Sequence, residues 1–225
     1  MTFIVADLSV PQDEYFIQRQ RMVSDQIMAR GISDGKVLAA MLKVERHRFV
    51  PPEYRKAAYG DFPLPIAGGQ TISQPYIVAF MTEILRLKKS DRVLEVGTGS
   101  GYQAAVLAEI CDTVFTIEIY DSLTKGAGKV FRELGYKNIV TKTGDGYLGW
   151  PEHAPYDAIL VTCAPVVVPE SLKSQLAEGG RLIIPVGQSS SQELVLLKKK
   201  SGKIQSEKVL PVRFVPMTDG KGTTY

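Results

Sequence analysis

The chain is poor in cysteine, with two in 225 residues, Cys111 and Cys163. They lie far apart and show neither a CxxC pair nor zinc-ligand spacing, so a disulfide scaffold or structural metal site is not expected. Both sit among apolar neighbours, read as small core residues, and suit a reducing cytoplasm. Histidine is equally scarce: His47 and His153 stand outside any motif and read as packing or surface residues. Long hydrophobic runs are missing. The longest nearly apolar stretch, residues 158–169, is too short to span a bilayer and carries two prolines. Met1–Pro11 lacks a basic start, and Asp7 interrupts it, so a leader peptide is not expected there. Charge of one sign is also lacking, with 27 basic against 24 acidic residues and a net +3. The tightest basic run, Lys198–Lys200, reads as a solvated loop beside a hairpin turn, so neither a nucleic acid nor a membrane is expected as partner.

What remains has the balance of an ordinary globular protein, 44% apolar and 23% charged. The length suits a single domain with small additions. The first sixty residues read as helical. Ser33 is placed to cap a helix whose face is Val37, Leu38, Met41 and Leu42, and Gly31 to end the helix before it. Tyr59–Pro75 is punctuated by glycine and proline and reads as a long functional loop. Pro75 then suits the first turn of a helix.

From Arg92 onward, short apolar runs alternate with helical stretches. Strands are expected at 92–96, 113–117, 139–143, 158–162 and 181–186, and helices at 103–110, 122–134 and around 170–177. That alternation implies a parallel sheet covered on both faces. The tail, 192–198 and 209–215, has the texture of antiparallel strands, with Pro211 best placed at an edge or bulge.

Val93-Leu94-Glu95-Val96-Gly97-Thr98-Gly99-Ser100-Gly101 is a strand running into a glycine loop and a helix. Glycines there allow a tight turn and close approach of a ligand. A dinucleotide fingerprint fails because Tyr102 stands where its third glycine belongs, and no Gly-Lys-Ser/Thr ending makes a P-loop. The E-x-G-x-G-x-G pattern of S-adenosylmethionine enzymes fits fully, with Glu95 facing the ammonium of the ligand's methionine part. Glu118 ends the second strand about twenty residues on, where a carboxylate accepts from ribose hydroxyls. Asp145, within Gly144-Asp145-Gly146, comes after the third strand and can take the adenine amino group; taken alone, this tripeptide also reads as a simple turn. The expected fold is therefore α/β: a Rossmann-like, doubly wound, mostly parallel sheet of the S-adenosylmethionine-dependent methyltransferase type. A helical N-terminal extension and an antiparallel C-terminal part complete it. One domain spans 1–225, with N-terminal helices and substrate loop at 1–75, cofactor core at 76–187 and C-terminal strands at 188–225.

The residues just after the fourth strand narrow the acceptor. Val161-Thr162-Cys163-Ala164-Pro165 is neither the Asn-Pro-Pro-Tyr element of base-amino methylation nor a carboxylate cluster for a metal. The instructive string is Gln70-Thr71-Ile72-Ser73-Gln74-Pro75. Together with Arg21-Met22-Val23, Val44-Glu45-Arg46, Tyr156-Asp157-Ala158-Ile159, Gly179-Gly180-Arg181-Leu182 and Val212 to Thr218, it resembles the protein-L-isoaspartate (D-aspartate) O-methyltransferases over nearly the whole chain.

The resemblance implies methyl transfer from S-adenosyl-L-methionine to the α-carboxylate of isoaspartyl residues in damaged proteins, leaving S-adenosyl-L-homocysteine. It implies Ser73 as the active-site residue and Gln70, Thr71 and Ile72 as substrate contacts. Glu95, Gly97, Thr98, Gly99, Gly101, Glu118, Asp145, Gly146 and Thr218 are implied around the cofactor. No metal takes part, and the protein is expected to act as a monomer. A carboxylate nucleophile is already ionised at neutral pH, so a neutral donor such as the Ser73 hydroxyl suits it; from position alone the same serine also reads as a helix cap. A methyltransferase for another acceptor and a non-catalytic isoaspartyl-binding module stand as alternatives. One departure from the family is Gly126 and Gly128 inside the helix beside the ribose site, where each costs roughly 1 kcal/mol. Asp219–Tyr225 matches no family pattern.

Overall fold

A computed structural model describes residues 14–188, 190–219 and 221–225. The Met1–Pro11 stretch, where no leader is expected, lies outside the described residues.

Two helices, α1 (Glu14–Arg21) and α2 (Gly35–Lys43), open the described chain, joined by π- and 3₁₀-helical turns that end at Gly31, whose φ of 95° closes them. Ser33 is not the cap of α2. Asp34 is, its side chain accepting from the Lys36 N–H, while the Ser33 N–H is taken by Glu83. The region read as one long loop is ordered instead into a small hairpin, β1 (Leu64–Pro65) with β2 (Thr71–Ile72), closed by a short 3₁₀ turn at Ala67–Gly69. Its backbone pairing gives the glycine-rich string a fixed shape that periodicity does not reveal. Helix α3 (Pro75–Ile84) starts at its proline as expected.

The core alternates β3 (Arg92–Val96), α4 (Tyr102–Ala108), β4 (Thr113–Glu118), α5 (Asp121–Glu133), β5 (Ile139–Thr143), β6 (Tyr156–Val161) and α6 (Glu170–Ser174). Then come β7 (Leu176–Gln188), β8 (Ser191–Lys200) and β9 (Lys203–Val212). Among the described residues these strands form a seven-stranded sheet ordered β5-β4-β3-β6-β7-β8-β9, parallel through β7 and antiparallel at β8 and β9. Strand β7 runs well past its expected bounds because it pairs on both sides. Pro211 sits on β9, the sheet's edge, where its missing N–H breaks no inner ladder. Lys198–Lys200 lie in the last turn-ward part of β8 rather than in a loop; Lys198 pairs with Glu207, and Lys199 donates to the Leu176 carbonyl.

Successive strand residues point to opposite layers. Val93, Val114, Leu160 and Ile183 pack with α2, α3 and α4, while Leu94, Phe115, Ile159, Leu182 and Trp150 form the other layer. Helix α5 stays continuous through Gly126 and Gly128 because Leu123, Ala127 and Phe131 bury its inner face. His47 and His153 are packing residues, stacked on Tyr15 and Phe115 respectively. Among the described residues no helix is long and apolar enough to cross a membrane, and no cluster of three His, Cys, Asp or Glu could hold a metal.

Candidate active site

Strands β3, β4 and β6 deliver their carboxyl ends to one cleft, the place where open α/β sheets bind ligands. The strand ends, the glycine loop, the residues before α3 and the C-terminal tail line it together.

Its floor is the glycine loop. Gly97 comes directly after β3 with φ of 96°, and a Cβ there would stand 2.3 Å from the Thr162 hydroxyl oxygen. Thr162 itself donates to the Gly97 carbonyl at 2.6 Å, tying the loop to β6. Gly101, with φ of 89°, begins α4; a Cβ on it would meet the Phe131 ring at 2.7 Å. Helix α5 can lie against the loop only because that side chain is missing.

Glu95 is fully buried at the bottom of the cleft. One oxygen, Oε2, accepts from the Thr116 hydroxyl, and the other, Oε1, has no hydrogen-bond partner. Burial pushes the carboxyl up to about 8, against the pull of Thr116 and the weaker pull of the Ala104 N–H in the first turn of α4. A buried, half-satisfied carboxylate facing a cavity is costly alone and fits a cationic ligand group. Glu118, at the end of β4, accepts the Gly99 N–H at 2.8 Å and the Tyr120 N–H at 3.1 Å. Those bonds fix its carboxylate along the cleft wall, with lone pairs left for further donors.

Asp145 caps a short 3₁₀ turn by accepting the Tyr147 N–H at 2.9 Å, and its other oxygen receives the Tyr225 phenol. The Tyr225 ring stacks on Tyr147 with centroids 4.1 Å apart. Asp145 thus stands just behind the cleft, whereas Gly146 lines it, and a Cβ on Gly146 would come within 2.4 Å of Val96. Thr98, Gly99 and Thr218 also line the cleft.

The opposite wall is the β1–β2 hairpin region. Gln70, Thr71, Ile72 and Ser73 all reach the same cleft as the glycine loop. A side groove sharing Thr71, Ser73 and Thr162 leaves it past Pro63, Ile77, Arg213 and Phe214. Ser73 does not cap α3: Gln74 holds the cap position and offers no side-chain cap. Asp61 does that work from a distance, accepting from the Gln74 side chain at 2.7 Å and weakly from the Tyr76 N–H at 3.4 Å, while pairing with Arg30.

Several lining residues escaped the sequence reading, among them Gln103, Thr162, Cys163 and Met217. Cys163 is therefore not a core residue as expected but a half-buried one on the cleft wall, its thiol pushed up by burial. Such residues carry no local signature, since only the sheet order brings β6 and the tail beside β3.

A family model described as protein-L-isoaspartate(D-aspartate) O-methyltransferase matches residues 17–222. A protein-L-isoaspartate O-methyltransferase of Opitutus terrae is 56% identical over 91% of this chain and 88% of its own. One from Gloeobacter violaceus is 54% identical over 89% and 98%. Among solved structures, a protein-L-isoaspartate O-methyltransferase superposes with TM-score 0.82 at 33% identity, over 91% of this chain and 67% of that one. A Plasmodium falciparum protein described as a beta-aspartate methyltransferase in complex with S-adenosyl-L-homocysteine gives 0.78 at 27%, over 92% and 99%.

Proposed function

We propose that this chain, which belongs to the protein-L-isoaspartate (D-aspartate) O-methyltransferase family, is a protein-repair carboxyl methyltransferase. It transfers the methyl group of S-adenosyl-L-methionine to the α-carboxylate of L-isoaspartyl and D-aspartyl residues in damaged proteins, leaving S-adenosyl-L-homocysteine. The observation that carries this is the convergence of Gln70–Ser73 and the glycine loop on one cleft.

Bound S-adenosyl-L-methionine supplies an electrophilic methyl group on its sulfonium sulfur. The residues present fit it. Glu95 offers its unpartnered Oε1 to the ammonium, and Glu118 faces the ribose hydroxyls. Gly97, Thr98, Gly99 and Gly146 line the cleft, Gly101 lets α5 pack behind the loop, Asp145 supports the adenine end from behind Gly146, and Thr218 closes the cleft from the tail. On the acceptor side Gln70, Thr71 and Ile72 hold the peptide, and the Ser73 hydroxyl donates to one oxygen of the substrate carboxylate. That aims the other oxygen at the methyl group. The carboxylate is already ionised, so no general base is needed, and a neutral donor orients the anion without repelling it. Positioning of this kind lowers a barrier by roughly 7–11 kcal/mol.

The whole chain works as one domain, since the cleft draws on residues from 70 to 218. The free cysteines suit a reducing cytoplasm, and the net charge of +3 offers no basic footprint for a nucleic acid.

The test is incubation with labelled S-adenosyl-L-methionine and a peptide containing isoaspartate, beside its aspartyl twin. Label in the isoaspartyl peptide alone is expected. Equal label in both overturns the assignment, as does label only in a non-peptide acceptor. Tight isoaspartyl binding with no transfer would instead leave a recognition module.

A further inference from the structure

Thr116 is an oddity of β4. The strand runs between two parallel neighbours and is otherwise built for burial, with Val114, Phe115 and Ile117 around it. A hydroxyl at such a position must find a partner. It lies directly opposite Glu95 in the β3–β4 ladder and donates to Glu95 Oε2. A hydroxyl has one proton, so Thr116 can only accept from the next group. That group is the Thr98 hydroxyl, 2.6 Å away on the glycine loop. With Glu95 ionised, as an ammonium beside it requires, donation runs in one direction, Thr98 to Thr116 to Glu95. Both threonines are buried, at 3% and 0% exposure.

The consequence falls on the other oxygen. With Oε2 engaged from the β4 side, Oε1 is the oxygen left without a hydrogen-bond partner, on a residue that lines the cleft. We propose that Thr116, supported by Thr98, is a positioning residue for cofactor capture: the two hydroxyls hold the Glu95 carboxylate so that Oε1 meets the ammonium of the methionine moiety. This rests on the assignment of S-adenosyl-L-methionine to the cleft and adds to it which side chains aim the acidic group. The adenosine end of the site does not depend on the pair.

The test measures dissociation constants for S-adenosyl-L-homocysteine and for adenosine, which lacks the ammonium, by calorimetry on the full chain. Thr116→Val is expected to weaken S-adenosyl-L-homocysteine about tenfold and leave adenosine within about twofold, the size of one charge-assisted hydrogen bond. Thr116→Ser, which keeps the hydroxyl, is expected to restore binding, and Thr98→Val to fall between. A parallel loss for both ligands would mean a collapsed site and would overturn the proposal. So would Thr116→Val binding like wild type while Glu95→Gln is weakened at least tenfold, which spares the role of Glu95 itself. Should Glu95→Gln bind S-adenosyl-L-homocysteine as wild type does, the ammonium role of Glu95 falls, and the relay with it.

Discussion

The carboxylate of Asp61 accepts a hydrogen bond from the Gln74 side chain at 2.7 Å, one residue beyond Ser73. Asp61 also takes the Tyr76 N–H and pairs with Arg30, whose guanidinium lies 3.4 Å from the centre of the Tyr76 ring. Three bonds converge on one half-buried carboxylate and pin the start of α3. Ser73 is thereby relieved of capping, and its hydroxyl makes no hydrogen bond among the described residues. Asp61→Ala should lower kcat about tenfold by letting the Ser73 loop drift, with cofactor affinity little changed. Steady-state kinetics against both substrates separates the two effects.

Ser73→Ala removes the neutral donor itself. By analogy with the loss of one preorganised donor at a developing charge, kcat should drop on the order of a hundredfold. Binding of S-adenosyl-L-homocysteine should stay within about twofold of wild type. An equal loss in affinity would place Ser73 on the cofactor side of the cleft.

Tyr225 ties the tail to Asp145, and its backbone N–H holds the Met217 carbonyl at 3.1 Å. Tyr225→Ala loses the stack on Tyr147 and the bond to the carboxylate, together about 1–2 kcal/mol at this half-exposed position. The KM for S-adenosyl-L-methionine should rise about fivefold or more with kcat preserved. An unchanged KM would show that the tail plays no part in holding the adenine end.

Glu95 links pH to stability. Its carboxyl is raised from 4.5 to about 8 in the folded protein. Between those values the folded state keeps a proton that the unfolded chain releases. Its contribution is therefore fully present below pH 4.5 and is lost as pH rises through about 8, with a slope approaching about 1.4 kcal/mol per pH unit. Urea midpoints measured from pH 5 to 8 should fall more steeply for wild type than for Glu95→Gln. Equal slopes would show that the buried carboxyl is ionised throughout.

One glycine inside α5 and one at the start of α4 offer a stability test. A Cβ on Gly126 would meet nothing within 4 Å. Gly126→Ala should therefore stabilise by about 1 kcal/mol through helix propensity and a less free unfolded chain. Gly101→Ala should do the reverse, because Phe131 stands in the way at a φ of 89°. Thermal or urea unfolding of both variants reads the sign directly.

The sequence by itself determined the alternation of strands and helices, the glycine loop with Glu95, and the spacing to Glu118. These come from hydrophobic period, turn chemistry and the needs of a cationic nucleoside ligand, all of which are local. Even Gly101 reads locally as a loop glycine, although its necessity comes from Phe131 thirty residues on. Tertiary structure alone decided what lies beside what. Thr116 looks like a strand residue until β4 pairs with β3 and sets it against Glu95. Asp61 looks like a turn residue until the chain folds back to cap α3. Asp145 reads correctly as a strand-end acid, yet Tyr225 of the tail, which carries no motif, takes one of its oxygens. A hydrogen bond needs its two partners within about 3 Å of each other, and for residues this far apart in the chain only sheet order and packing bring them that close.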